Sequence, residues 1–201
     1  MPTKLEANAS FRKPRLVFLV LALALIFSVV FVGGVSAWSA DTTWGQNYDD
    51  ENVLEFYIED AGDLAQFASM VNSGKDFSGR KVILNNNIDL QNQVWTPIGT
   101  SSTKPFRGTF DGHGYIIDNL NLSSSSYTVL GLFGYVDSGD IQNINVARSK
   151  FNPTSNSKTY CIGSIVGWLN DGFISNCSVL IKIDVVTDNN AGHQSSSGTR
   201  W

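Results

Sequence analysis

Basic charge, cysteine and histidine are all scarce in this chain of 201 residues, and each scarcity closes off a class of function. Lys and Arg number 14 against 18 Asp and Glu, for a formal charge of −4. Four of the basic residues, Lys4, Arg12, Lys13 and Arg15, crowd the N-terminus. Beyond residue 37 there remain 10 basic and 17 acidic residues, a formal charge of −7. An acidic surface without a basic patch argues against nucleic acid and against anionic lipid as partners. The two cysteines, Cys161 and Cys177, are too few for a disulfide scaffold, although an exported location would permit one bridge. Histidine is no better placed for a metal. His113 stands between two glycines in "FDGHG", His193 lies in a polar stretch, and no second His or Cys sits at zinc-ligand spacing. Asn-Gly hairpin signals are also missing, which weighs against a β-sandwich of hairpins, the competing all-β reading.

What is present begins with an apolar run. Leu16 to Val32 holds 17 residues without charge and with Ser28 as its one polar member, behind a basic flank and ahead of "GGVSA". Residues 1–37 read either as a cleaved signal peptide with a long apolar region or as an uncleaved membrane anchor. Both readings export the remainder, to the extracellular space or the cell surface, and confine membrane contact to residues 16–35. Residues 38–56 are polar and acidic and read as a spacer. A helix is expected over residues 61–72: Asp60 can cap it, and Leu64, Phe67, Ala68 and Val71 recur at i, i+3, i+4 and i+7. Gly74 should stop it.

From Lys81 onward the chain is short β-prone runs broken by Gly, Asn, Asp and Ser. Four share the pattern Asn, apolar, polar, apolar, beginning at Asn87, Asn119, Asn143 and Asn176, with steps of 32, 24 and 33 residues. The implied period is about 24 residues, with loops inserted in two of the steps. A longer match is ungapped: "LFGYVDSGDIQNINV" (132–146) lies over "IVGWLNDGFISNCSV" (165–179) at a constant offset of 33. Ile141 is three residues before Ile144, so both can point inward only if the chain bends at Gln142–Asn143. Short strands with bends between them, too close for helical crossovers, predict an all-β solenoid, a parallel β-helix of about four coils over residues 57–186. The helix would cap its N-terminal end, and the four asparagines would be structural corner residues.

The same residues resemble a known family. "GLFG" (131–134) with "GDIQNINV", and "GSIVG" (163–167) with "GFISNCSV", are similar to the GLUG-type repeats of bacterial cell-surface, adhesin-like proteins. The upstream stretches "LAQFASMVNSGKDFSGRKVILNNNIDLQNQVWTPIG" and "PFRGTFDGHGYIIDNLNL" extend the resemblance over about residues 58–183. It implies that the β-helix is right-handed, and it transfers no catalytic residue.

Candidate chemistry is thin. Glycoside hydrolysis needs a facing carboxylate pair. Asp111, Asp118, Asp137, Asp140 and Asp171 are available, but Asp111 and Asp137 stand beside or near glycines in turns, where Asp bonds its own backbone. Asp137 and Asp171 are one place out of register, which leaves calcium as the only metal to consider; no cofactor is expected. Cys177 takes the place of Ile144 and reads as a small buried hydrophobe. Tyr135 and Trp168 are equivalent residues 33 apart and should stack, either as an internal aromatic ladder or as an exposed sugar-binding strip; alternation does not settle which face they occupy. The functional expectation is an exported, non-catalytic module for adhesion or for contact with polysaccharide or a host surface protein. A polysaccharide lyase or hydrolase on the same scaffold, using Arg107 or Lys150 beside a carboxylate, is the alternative. Residues 187–201 ("TDNNAGHQSSSGTRW") carry no further repeat unit and are expected to be disordered. The last coil would then be open, pointing to a piece of a longer repeat protein or to self-association through that coil.

Overall fold

Alternation of side chains sets the first strand. In β1 (Glu55–Ile58) the exposed Glu55 and Tyr57 alternate with the buried Phe56 and Ile58. The computed structural model describes residues 37–123, 127–151 and 161–181, so the expectations for residues 1–36 and 187–201 lie outside the described residues. No helix among the described residues is long and apolar enough to cross a membrane.

After β1 comes one helix, α1 (Ala61–Asn72), over the residues where the apolar spacing places it. The Asp60 side chain accepts from the backbone N–H groups of Gly62 and Asp63, satisfying two donors the first turn leaves open. The helix ends at Asn72, as expected, and is followed by a Ser73 cap whose hydroxyl donates to the Met70 carbonyl. Apart from a single 3-10 turn at Gln46–Asp49, ahead of β1, the remaining elements among the described residues are strands: β2 (Lys81–Leu84), β3 (Ile88–Asp89), β4 (Thr109–Asp111), β5 (Ile116–Asp118), β6 (Val129–Leu130), β7 (Phe133–Gln142), β8 (Asn145–Ser149), β9 (Cys161–Ile162), β10 (Val166–Ser175) and β11 (Ser178–Ile181).

These strands do not form the expected β-helix of four coils. They assort into three separate sheets, of five strands (β1-β2-β4-β7-β10), four strands (β3-β5-β8-β11) and two strands (β6-β9). Among the described residues every pair of named strands is parallel, and the sheets are stacked without closing or curling. The 24-residue period fails with the solenoid. Partners are 26 residues apart where Glu55 meets Lys81, 29 where Ile116 meets Asn145, and 33 where Tyr135 meets Trp168. The ungapped sequence match at offset 33 is thus the pairing register of β7 with β10, and of β8 with β11. The 24-residue step paired Asn119 with Asn143, whereas β5 lies beside β8 with Asp118 opposite Ala147.

The chain does bend where Ile141 and Ile144 require it. Strand β7 stops at Gln142, Asn143 takes φ 55°, and both isoleucines are fully buried. Gly172 shows why the repeat keeps a glycine here: φ is 98°, and a Cβ would collide with the Gly139 carbonyl directly across the strand pair.

The core lies between the sheets and α1. Phe67 of the helix meets Phe77 and Phe106 edge-on at 5.0 and 5.5 Å, and Phe110 meets Phe133 at 5.1 Å. All five rings are fully buried. The segment read as a spacer also joins this core. Trp44 sits 5.8 Å from both Phe56 and Phe67 and donates its indole N–H to the Tyr57 carbonyl at 2.7 Å, while Trp38, Tyr48 and Val53 pack alongside.

Candidate functional site

The outer face of the five-stranded sheet carries three of the residues singled out by sequence, Tyr135, Asp137 and Trp168. In β7, Phe133 and Val136 point into the core and are buried; Tyr135 and Asp137 point away from it and are partly exposed. Register puts Trp168 directly beside Tyr135, with ring centroids 6.4 Å apart and planes inclined by 35°. Trp168 is 49% exposed, so the pair forms a short aromatic strip open to solvent rather than an internal ladder.

Two residues further on, the same register aligns Asp137 with Asn170. The Asn170 amide donates to Asp137 Oδ1 at 2.9 Å, while Arg107 holds Oδ2 through Nη2 at 2.6 Å and Nε at 3.0 Å. Arg107 Nη1 also reaches Asp76 at 3.2 Å. The Asn170 amide and the Arg107 guanidinium together hold the Asp137 carboxyl below the usual carboxylate range. Asp171 stands in left-handed backbone at φ 56°, and among the described residues no group of three His, Cys, Asp or Glu is arranged to hold a metal ion.

Asp111 is the other committed carboxylate. Burial pushes its carboxyl up, but four donors outweigh it and hold it far below the usual range. They are Lys81 Nζ at 2.8 Å, the Asn143 and Gln142 amides at 2.9 Å each, and the His113 backbone N–H at 2.9 Å. Asp118 pairs with Arg148, whose Nε donates at 2.7 Å. Asp140 Oδ1 accepts from the Phe173 backbone at 3.2 Å. A general acid needs a proton near neutral pH, and neither Asp111 nor Asp137 is placed to keep one.

The four repeat asparagines separate into different places. Asn143 and Asn176 are true neighbours: both have positive φ, and the Asn176 amide donates to Asn143 Oδ1 at 2.7 Å. Asn119 also has positive φ but stands in another row, donating to Asp89 at 2.7 Å. Asn87, in the connection between β2 and β3, accepts from the Ile116 backbone at 2.9 Å and does not share the positive φ of the other three. Cys177 is half-buried against the core, and its thiol donates to the Ser175 carbonyl at 3.1 Å.

Sequence reasoning missed a cleft of about 560 Å³ between α1 and the loop over residues 94–104. Its walls include Trp38, Ser69, Asn72, Val94, Thr100 and Lys104. Nothing in the periodic pattern marks these positions: the loop lies between strands, Trp38 lies in the segment read as a spacer, and Ser69 and Asn72 fall outside the apolar stripe of α1.

No family model matches the chain, and no curated protein matches it in sequence. Among solved structures, a crystal structure of a Bacteroides ovatus protein provisionally described as an immunoglobulin A1 protease is similar at 20% identity, with a TM-score of 0.46. The match covers 64% of this chain and 38% of that protein, so the chain spans well under half of its length. Neither fold nor activity is inferred from a likeness at that level.

Proposed function

We propose that the chain is an exported, non-catalytic surface module that contacts carbohydrate. The observation that carries this reading is the Tyr135–Trp168 strip, two rings aligned by strand register on an outer sheet face. Aromatic faces at this spacing suit the apolar face of sugar rings, and the neighbouring Asp137–Asn170 pair supplies polar groups at the strip's edge. The resemblance to GLUG-type repeats of cell-surface proteins and the apolar run at residues 16–35 support export. The non-catalytic part rests on the committed state of the carboxylates, since Asp111 and Asp137 each spend their lone pairs on fixed internal donors.

A polysaccharide panel tests both parts. Binding to at least one polymer should fall about tenfold in Trp168→Ala, an amount equal to about 1.4 kcal/mol. Release of reducing ends or unsaturated products from any polymer would sink the non-catalytic reading.

A further inference from the structure

The cleft between α1 and the 94–104 loop is separate from the aromatic strip, since no residue of β7 or β10 lines it. Its volume of about 560 Å³ falls within the range of small-molecule sites. One wall is aromatic and dry. Trp38 packs against Trp95 with centroids 6.0 Å apart, and both indole N–H groups are turned to backbone carbonyls, Trp38 to Leu90 and Trp95 to Leu132, each at 3.0 Å. With its N–H committed elsewhere, the half-buried Trp38 offers the cleft carbon surface. Val94, 58% exposed, extends that apolar wall at the rim.

The opposite wall is polar and fixed in place. Asn72, at the end of α1, donates to the Pro97 carbonyl at 2.9 Å and accepts from the Gly99 and Thr100 N–H groups at 3.0 Å each. Three bonds from one side chain thus tie the loop to the helix and preform the cleft. Around that clamp stand the side chains of Ser69, Thr96 and Thr100, together with Lys104. Lys104 makes no ion pair among the described residues, unlike Lys75, Lys81, Arg107 and Arg148.

We infer that this cleft is a binding site for a pyranose sugar, with the CH face of the ring on Trp38 and Val94 and its hydroxyls toward Ser69, Thr96, Thr100 and Lys104. A ring with one apolar face and an equatorial rim of hydroxyls matches a pocket with one dry aromatic wall and one hydroxyl-lined wall. The inference does not depend on the Tyr135–Trp168 strip, and the test keeps the two apart.

Calorimetric titration of the full chain with the methyl glycosides of glucose, galactose, mannose, N-acetylglucosamine and glucuronic acid is the experiment. At least one glycoside should bind saturably. Ser69→Trp and Thr96→Trp, two exposed positions whose indoles would fill the cleft, should each weaken it by about tenfold or more. Trp168→Ala should leave that binding within about twofold. Far-ultraviolet dichroism and melting curves matching wild type identify which filled variants have folded; two sites are used so that one misfolded variant does not end the test. Absence of binding by all five glycosides overturns the inference. So does unchanged binding in a folded filled variant. Loss of binding in Trp168→Ala with retention in the filled variants would assign the sugar to the outer strip instead, and also overturns it.

Discussion

At the scale of single residues, Asp111 shows how far a side chain's meaning depends on register. Its sequence context, between Phe110 and Gly112, suggests a turn carboxylate that bonds its own backbone, and it does bond the His113 N–H. The larger part of its role comes from Lys81, Gln142 and Asn143, each about thirty residues away and brought in by parallel pairing of β2, β4 and β7. No local pattern could have shown this. Asp111→Ala leaves an ammonium and two amides without their acceptor, and should lower the unfolding free energy by about 3 kcal/mol in a denaturant titration. The pH dependence follows from a folded carboxyl held below its unfolded value. The ionised form's contribution is fully present above about pH 4 and fades as the solution is acidified further. The gap between wild type and Asp111→Asn should therefore narrow as pH drops from 5 toward 2, and a constant gap would contradict this account.

At the scale of elements, α1 was the most legible part of the chain, because capping and the i, i+3, i+4, i+7 spacing act within a dozen residues. Asp60→Ala removes the acceptor for two N–H groups and should cost about 1 kcal/mol. Asp63 behaves in the opposite sense. Burial raises its carboxyl, its bond from the Glu59 N–H lowers it, and the nearby Asp60, Asp41 and Glu59 raise it again. Asp63→Asn keeps an acceptor and sheds the buried charge, so it should be at least as stable as wild type at pH 7, and less favourable relative to it in acid. Phe67→Ala empties the centre of the aromatic cluster and should lower stability by about 4 kcal/mol. The strands were legible only in part. The 33-residue match survived as the register of β7 with β10 because those segments have no insertions between equivalent positions. The 24-residue step failed for a chemical reason. Asn119 and Asn143 both occupy left-handed backbone, φ 56° and 55°, so both positions select asparagine. They belong to different rows of the sheets, and the shared residue reports a shared local conformation, not a shared layer. Tyr135 and Trp168 were placed together correctly, but their outward orientation needed the structure, since Leu132, Phe133 and Val136 make both faces of the segment apolar.

At the scale of the whole molecule, the final strand of each larger sheet differs from the strand before it. Val136, Ile141 and Val146 are buried in β7 and β8, while their register partners Leu169, Ile174 and Val179 are 39–43% exposed in β10 and β11. Phe173 and Leu180 reach 73% and 70%. Among the described residues nothing covers this surface, and exposed apolar strands at a sheet edge favour association. The purified protein should elute larger as its concentration rises in size-exclusion chromatography. Leu169→Lys with Ile174→Lys should shift it toward monomer, and concentration-independent elution of wild type would refute this. The uniform parallel pairing has a further result, in time rather than in space. Each strand's partner lies 26–33 residues away in the chain, and every named strand pair is parallel, so none can zip up from a local turn. A pairing must wait for closure of a loop of that length, and the layers that reward one another appear only afterwards. Refolding in stopped-flow mixing should accordingly be slow for a chain of this size, in milliseconds to seconds. The helix, formed in about a microsecond, would be ready long before there is a sheet for it to cover.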